Sequence, residues 1–395
     1  MSFDNTLTKI SFIDQKVFLL RSLGLFLLIS LFSVSAKEVH VTNNLDSGPG
    51  SFRAALTLAE QDPKIYKILF EDNFTINLAK ELIYMGKQEI AIDGKRSIID
   101  GADVDTHLAN LLTFRVSNSV TLKNFTFRNS KGSGLVVEID PESQGNITVS
   151  LEKITVANAA LYGIHIDDNF DTKDKGNAGS MAGIRLNVSD CAILNNGNGD
   201  VDHDGIRIDE RGDGDIIAYV SGTQIDRNGG DGFELDEGGN GNVELTMIDS
   251  HLNFNGSLNP EDLDDGLDID EAGNGDVHVT LIGVHSDSNY EEGIDLDELD
   301  AGSIELTFYD VHSDHNAREG IHVDEDNTGD IIAYLSHVEV NNLGQQGLRI
   351  EQQGSGEVYS QLIAVHSSDQ VYQPDQNSSG SRETLLAWLH RQTLP

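Results

Sequence analysis

Apolar and polar residues alternate along most of this chain in short runs, and one six-residue phrase recurs. The phrase is a glycine, an apolar residue, any residue, another apolar residue and then two acidic residues. Its copies begin at Gly163, Gly205, Gly232, Gly266, Gly293 and Gly320, with a weakened copy at Gly347. From Gly205 onward the spacings are 27, 34, 27, 27 and 27 residues. So regular a period indicates one repeat array rather than separate globular domains.

Each repeat contains three short stretches with the period of a β-strand. In the copy at Gly293 they are Ile294–Asp297, Ile304–Phe308 and Val311–Asp314. Apolar residues alternate with polar ones there, as strands buried on one face require, and helical spacing is not seen. Stacking of such coils about 4.8 Å apart predicts three parallel sheets around one thin core.

The turns repeat as well. Glycine-rich turns follow the first strand at Gly212–Asp215, Gly239–Asn242 and Gly273–Asp276, and we expect their glycines to adopt positive φ. The one 34-residue spacing is 27 plus an inserted loop, Ser257–Leu263. One further position of the repeat is occupied by asparagine in successive coils. This predicts a buried asparagine stack that hydrogen-bonds from coil to coil and consists of Asn228, Asn255, Asn289 and Asn316.

The N-terminus has the pattern of an export signal. Lys16 and Arg21 precede an apolar run, Leu23–Phe32, and Val34–Ala36 supplies a small-x-small cleavage site. We expect a signal peptide over residues 1–36, a β-helix over 37–370 and a tail or cap over 371–395. The chain is then secreted, extracellular, periplasmic or at the cell surface, without a membrane span after cleavage; an uncleaved anchor is the alternative.

Two segments near the start carry a family resemblance. Val41–Leu56, with its Gly-Ser-x-Arg-x-Ala stretch, resembles the opening of many exported bacterial β-helix proteins, in which this stretch begins a short capping helix. Ile90–Gly94 and Ile98–Gly101 are similar to their early coils. With the later coils, residues 39 to 370 resemble the pectin-lyase-like superfamily. The resemblance implies an all-β, right-handed, single-stranded parallel β-helix, with a capping helix over about residues 51–60.

The charge balance narrows the classes of partner. The chain has 26 basic and 66 acidic residues, a formal net charge of −40. This charge disfavours nucleic acids and anionic membranes and favours metal cations. Cys191 is the single cysteine, which excludes an intrachain disulfide and a multi-thiolate zinc site.

The last two positions of the phrase predict a stacked row of carboxylates. Like charges one coil apart repel unless they are screened, protonated or bridged, and calcium prefers such oxygen ligands. Neither an EF-hand nor a GGxGxD calcium pattern occurs, and a solvated acidic face is the alternative. The candidate calcium ligands are Asp209, Asp236, Asp270, Asp297, Asp324, Glu271 and Glu298.

Histidines share another outward register: His251, His285, His312 and His366, with Asp287 and Asp314 two residues beyond the middle pair. Such His-x-Asp pairs can bind transition metals, although a polar sheet face explains them equally.

No catalytic residue is identified from the sequence. The superfamily includes lyases, hydrolases, epimerases and adhesins, and the Gly-His-Gly and Arg-x-Lys strings of its hydrolases are absent. We predict a scaffold for binding or adhesion, loaded with Ca²⁺, whose partner is a polysaccharide or cell-surface ligand. The alternative is a polysaccharide lyase or another carbohydrate-active enzyme. If the chain is an enzyme, we expect loops 169–182 and 257–263 to converge over a groove that holds Arg185 or Arg207. Asp167 and Asp168 could mimic a paired-carboxylate site, but the same positions are acidic in the later coils, so the repeat explains this pair better.

Overall fold

A computed structural model describes residues 37–169, 179–199, 203–259, 263–341 and 347–367. The predicted signal peptide at 1–36 and the predicted tail at 371–395 lie outside the described residues, so both remain predictions. Parts of the two irregular loops, at 170–178 and 260–262, lie outside them as well.

The described residues form one short helix and a succession of short strands. In chain order these are β1 Lys37–Val41, α1 Phe52–Gln61, β2 Ile65–Phe70, β3 Thr75–Asn77, β4 Leu82–Tyr84, β5 Ile90–Asp100, β6 Leu112–Val116, β7 Val120–Arg128, β8 Leu135–Ile139, β9 Gln144–Ala157, β10 Ile164–Asp167, β11 Met181–Ser189, β12 Ala192–Leu194, β13 Ile206–Glu210, β14 Ile216–Ser221, β15 Gln224–Asp226, β16 Phe233–Glu237, β17 Val243–Ile248, β18 His251–Asn253, β19 Leu267–Glu271, β20 Val277–Ile282, β21 Ile294–Glu298, β22 Ile304–His312, β23 Ile321–Glu325, β24 Ile331–Val340, β25 Leu348–Gln352 and β26 Val358–Ser367.

Every described strand pair is parallel, and the strands stack coil on coil. The first strand of each repeat belongs to a ten-stranded sheet that runs from β4 to β25. The second and third strands of each repeat share a 16-stranded sheet. The prediction of a parallel β-helix with a capping helix is confirmed. Two hydrogen-bonded sheets replace the three that were expected, because the second strand continues into the third in β5, β7, β9, β22, β24 and β26.

From β7 onward, the chain bends between the second and third strands at one residue with positive φ in each coil. Most of these residues are not glycine, so the backbone conformation is imposed by the coil rather than by the side chain. They are Asn124, Lys153, Asp190, Gly222, Asp249, Gly283, Asp310, His337 and Ala364.

The glycines of the turn after the first strand serve a different purpose from the one expected. Gly212, Gly239 and Gly273 do not have positive φ, so that expectation is wrong. Instead, a Cβ on Gly239 would overlap the carbonyl oxygen of Gly212, and a Cβ on Gly273 would overlap that of Gly239. These glycines are needed because successive turns lie in close backbone contact.

The asparagine stack is present and hydrogen-bonded as predicted. Asn228 Nδ2 donates to Asn255 Oδ1 (3.0 Å), and Asn255 Nδ2 donates to Asn289 Oδ1 (3.2 Å). Asn196, which the sequence analysis missed, extends the stack by one coil. The second of these contacts spans the inserted loop, and β16 pairs in register with β19 across the same interval. The stack and the strand pairing therefore continue in register across the interval that contains the insertion.

A continuous apolar core fills the coils, and Cys191 is buried in it. Helix α1 covers the first coil, with Phe52 and Leu56 fully buried. Ser51 caps the helix, since its side chain accepts a hydrogen bond from the amide of Ala54 (3.2 Å). The structure therefore confirms the predicted helix to within a residue at each end.

Candidate functional site

The outward surface of the ten-stranded sheet is crowded with carboxylates. Strands β16, β19 and β21 each place two acidic side chains there by simple alternation. A third acidic residue stands directly before the glycine of each of these coils. We call the following set the acidic face: Asp204, Asp209, Asp231, Glu234, Asp236, Asp265, Asp268, Asp270, Glu292, Asp295, Asp297 and Asp324.

The structure separates the seven predicted calcium ligands into two groups. Asp209, Asp236, Asp270, Asp297 and Asp324 belong to the acidic face, and their strands pair in register. Glu271 and Glu298 are fully buried instead, because the next residue of a strand points to the opposite side. The two glutamates therefore do not share a site with the aspartates.

Part of the acidic face holds the coils together. Asp204 Oδ1 accepts a hydrogen bond from the amide of Asp231 (3.0 Å), and Asp231 Oδ1 accepts from that of Asp265 (2.5 Å). Asp265 Oδ1 accepts from the amide of Glu292 (2.6 Å). One oxygen of each of these aspartates is thus used in coil stacking.

Two arginines neutralise one end of the acidic face. Arg207 bonds Glu234, Asp209 (2.9 Å) and Asp236 (2.7 Å). Arg211 also bonds Asp236 and Asp209. Burial would raise the pKa of Asp209, but the hydrogen bond with His165 and the charge of Arg207 outweigh it and lower that pKa to about 2. Arg207, which the enzyme alternative placed in a groove, is largely enclosed by these ion pairs.

The middle of the acidic face has no such compensation. Within the described part of the chain, none of Asp265, Asp268 and Asp270 forms an ion pair. Burial and the charge of Asp236 raise the pKa of Asp270 to about 6. Burial and the charge of Asp295 raise the pKa of Asp297 to about 7. These shifts measure an unfavourable crowding of negative charge, which a bound cation would relieve.

The oxygen atoms are also placed to share a cation. Asp231, Asp265 and Asp268 offer one oxygen each within 4.8 Å of one another, as do Glu234, Asp268 and Asp270. Asp297 Oδ1 and Glu292 Oε2 are buried and have no hydrogen-bond partner among the described residues.

Inside the coils, a second row of acidic residues forms a ladder that the sequence analysis missed. Each glutamate accepts hydrogen bonds from the glycine-rich turn of its own coil: Glu271, for example, bonds the amides of Gly273 (2.9 Å) and Gly275 (3.1 Å). The ladder ends at Gln352, whose amide donates to Glu325. We call this row the glutamate ladder: Glu210, Glu237, Glu271, Glu298 and Glu325, all fully buried.

Asp167 and Asp168, which were considered as a paired-carboxylate site, point to opposite sides of the sheet, as the acidic pairs of the later coils do. Asp168 is buried and accepts hydrogen bonds from the amides of Ser180 (2.6 Å) and Arg211 (3.0 Å). Asp167 belongs to the outward surface. The pair therefore follows the repeat and does not form a two-carboxylate site.

The predicted histidine row lies on the 16-stranded sheet. The rings of His251 and His285 stack at 5.1 Å, and those of His285 and His312 stack at 4.7 Å. Glu339 pairs in register with His312 on one side and with His366 on the other, so it separates His366 from this stack. Transition-metal binding by this row remains a prediction.

A groove of about 950 Å³ follows the turns after the third strands. Six successive coils line it, so at one coil per 4.8 Å it extends about 24 Å along the solenoid. Among the residues that line it are Lys131, Asn158, Asn195, Arg227, Phe254 and Tyr290. We call it the turn groove.

For an enzyme, we expected the two irregular loops to converge over a groove that holds Arg185 or Arg207. Arg185 is on β11 of the 16-stranded sheet, whereas Arg207 is on the ten-stranded sheet. Ser257, at the start of the inserted loop, lines the turn groove with neither arginine. Both loops lie partly outside the described residues, so their convergence remains a prediction.

No family model and no curated protein matches the chain. Among solved structures, a protein of Geobacillus virus E2, ORF18, has 11% identity and a TM-score of 0.50; the match covers 90% of this chain and 66% of that one. The chain thus spans just under two thirds of that viral protein. The pectate lyase Pel9A has 14% identity and a TM-score of 0.48, with 89% and 83% covered. The periplasmic alginate epimerase AlgG has 12% identity and a TM-score of 0.41, with 76% and 77% covered.

At these identities the similarity concerns the fold alone. The stacked parallel strands define the chain as a parallel β-helix, and the similarity to the viral protein agrees with this fold. In the part of the chain that the structure describes, no helix has the length and apolar character of a membrane span.

Proposed function

We propose that this β-helix is an exported scaffold that binds divalent cations, calcium first among them, on its acidic face. The observation that carries the proposal is the central coil of Asp265, Asp268 and Asp270, whose carboxylates lack an ion pair within the described residues. Calcium takes six to eight oxygen ligands at flexible geometry, which carboxylates on adjacent coils can supply.

The donor set fits calcium on two counts. First, the possible ligands in the middle of the acidic face are all oxygen atoms. Second, Asp297 Oδ1 is a buried oxygen without a hydrogen-bond partner among the described residues. Asp270 and Asp297, two of the predicted ligands, would hold the ion together with Asp268, whereas Glu234 and Asp236 are already paired with Arg207. Glu271 and Glu298 are left out because they face the core.

Thermal unfolding in EDTA and in millimolar calcium tests this proposal. A ligand that binds only the folded state raises the melting temperature. The double variant Asp270→Asn/Asp297→Asn should melt higher than wild type in EDTA, because it relieves repulsion, and should gain little from calcium.

The matched control, Glu244→Gln/Asp300→Asn, removes two exposed carboxylates elsewhere and should keep the calcium-dependent rise. An equal calcium-dependent rise in the acidic-face variant and in wild type would refute the proposal. So would a wild-type rise no larger than that produced by sodium chloride of the same ionic strength.

A second binding function is supported by the turn groove. Arg227 and Phe254 both have positive φ, 61° and 62°, which is an outlier conformation for a bulky side chain such as phenylalanine. The Arg227 guanidinium lies 5.0 Å from the centre of the Phe254 ring. Phe254 and Tyr290 are 43% and 45% exposed. Exposed aromatic rings, amides and a guanidinium along an extended groove suit a polysaccharide.

Binding of a panel of soluble polysaccharides, followed by calorimetry, tests the groove. Phe254→Ala and Tyr290→Ala should each weaken binding about tenfold or more, as the loss of an aromatic anchor does. Tyr219→Ala removes an exposed aromatic outside the groove and should leave binding unchanged. Equal weakening by all three changes would contradict a groove site.

The alternative of a carbohydrate-active enzyme has support from one feature of the acidic face. Burial and the charge of Asp295 raise the pKa of Glu292 to about 7, a value suited to a general acid. Glu292 is nevertheless almost completely buried, which favours an ion over a sugar ring as its ligand. Arg207 does not suit the role of a base, because its neighbouring carboxylates raise its pKa further despite its burial. Product analysis with the same polysaccharides would show turnover if the enzyme alternative is right.

A further inference from the structure

The acidic face contains one place where a nitrogen ligand joins the carboxylates. His322 on β23 lies beside Asp295 on β21, and its Nδ1 is 2.8 Å from Asp295 Oδ1. Glu292, just before the glycine of the β21 coil, completes the group. Each of the three offers a ligand atom within 4.8 Å of the others.

An ion pair between His322 and Asp295 would explain two members of this group but not the third. Glu292 is only 5% exposed, and its Oε2 has no hydrogen-bond partner among the described residues. Arg318 approaches the other oxygen, with its Nη1 3.7 Å from Glu292 Oε1. A buried carboxylate oxygen without a hydrogen-bond partner is costly, so Oε2 is an oxygen that a bound cation would stabilise.

The group is also held in place before any ion binds. The amide of Glu292 donates to Asp265 Oδ1 (2.6 Å), which fixes the backbone of the glutamate. In-register pairing of β21 with β23 aligns the coils that carry Asp295 and His322. Such preorganisation lowers the entropic cost of binding.

We propose that Glu292, Asp295 and His322 form a transition-metal site, with zinc as the representative ion. One imidazole and two carboxylates are the ligand types that zinc takes in sites with an open fourth position, whereas calcium prefers oxygen alone. The proposal goes beyond calcium binding in the middle of the acidic face, because it depends on a nitrogen ligand and on three residues that the calcium site does not use.

Calorimetric titration of the full chain with zinc chloride, in a buffer containing excess calcium, tests the site. Wild type should bind one zinc ion that calcium does not displace. His322→Gln and Glu292→Gln should each weaken that binding at least tenfold. His285→Gln, in the histidine stack of the other sheet, should leave it unchanged.

Cobalt provides a second measurement with the same variants. Its absorption bands report a nitrogen–oxygen ligand set directly, and they should be lost in His322→Gln while far-UV circular dichroism stays the same. Zinc affinity that is unchanged in His322→Gln, or lost only in His285→Gln, would overturn the proposal. A wild-type chain that binds no zinc would overturn it too. Neither result depends on the outcome of the calcium experiment, in which the zinc site is not altered.

Discussion

The glutamate ladder shows how buried carboxyl groups can be accommodated in a fold without an ion pair among the described residues. Burial, together with hydrogen bonds to adjacent rungs, raises the pKa of Glu210 to about 10 and that of Glu271 to about 9. Hydrogen bonds from those two rungs lower the pKa of Glu237, which lies between them, although burial keeps it raised overall. Glu210 and Glu271 therefore hold a proton at neutral pH and donate it to Glu237 between them.

Replacing Glu271 with glutamine is expected to stabilise the protein in alkaline solution and to be nearly neutral in acid. A carboxyl group whose folded pKa is raised contributes its full stability below its ordinary pKa of 4.5 and loses it as the pH rises toward about 9. Glutamine keeps an acceptor for the turn amides and cannot ionise. Gln352 already plays this part at the end of the ladder. Melting temperatures at pH 5 and pH 9 measure the effect.

Glu271→Ala is the control for the hydrogen bonds themselves. It leaves the amides of Gly273 and Gly275 without their acceptor, which should cost about 1–3 kcal/mol at both pH values. A glutamine variant as unstable as the alanine variant at pH 9 would show that the ladder is not protonated.

The sequence contained the information that separates the two acidic rows. Asp270 and Glu271 are neighbours in the repeated phrase, and strict alternation puts one outside and the other inside. Both were predicted to lie on one outward edge, since a buried glutamate in every coil contradicts ordinary expectations of burial. What the sequence could not supply is the protonation that makes an inward glutamate tolerable, because that depends on the distance between coils.

At the scale of elements, the corner after the first strand depends on close contact between backbones. Gly238 and Gly239 are adjacent, yet only at the second would an added Cβ meet the backbone of the preceding coil. A Cβ on Gly238 would meet the flexible side chain of Arg211 at 3.1 Å, whereas one on Gly239 would overlap the carbonyl of Gly212.

Gly239→Ala should therefore destabilise the protein by about 1–3 kcal/mol, as insertion of a methyl group into a closely packed site does. Gly238→Ala should change the stability by no more than about 0.5 kcal/mol. Chemical denaturation of the two variants side by side measures the difference. Equal effects would mean that glycine is required at this turn for its conformational freedom, which the φ angles contradict.

The period of the repeat was sufficient to predict the coils, the asparagine stack and the position of the insertion. It could not predict the bend between the second and third strands. That bend requires a positive φ, and the residues that adopt it include Lys153, Asp310 and Ala364. The stacked coils determine the backbone there, and the side-chain type carries no signal of it.

For the whole molecule, a net charge of −40 is more than a device for solubility. Asp204, Asp231 and Asp265 connect one coil to the next through backbone amides, and the glutamate ladder satisfies the turns. Acidic residues at these positions belong to the structure of the solenoid. Among the described residues, Asp268, Asp270 and Asp297 have no such role, and they are the ones that a cation would stabilise.

The separation of the acidic residues into structural ones and outward ones predicts how the stability of the molecule depends on pH. The raised pKa values of Glu210, Asp270, Glu271 and Asp297 all act in the same direction, since each unfolded carboxyl group releases its proton at a lower pH than the folded one. In EDTA the melting temperature should fall by more than about 5 °C between pH 5 and pH 9.

Calcium should reduce that fall only in part. A cation on the acidic face stabilises the ionised forms of Asp270 and Asp297, so their contribution to the pH dependence should disappear. The glutamate ladder is out of reach of the ion, and its contribution should persist in saturating calcium. Melting curves from pH 5 to pH 9, with calcium or with sodium chloride of equal ionic strength, separate the two contributions. Complete loss of the pH dependence in calcium would contradict a core that holds its own protons, because only the outer carboxylates can meet the ion.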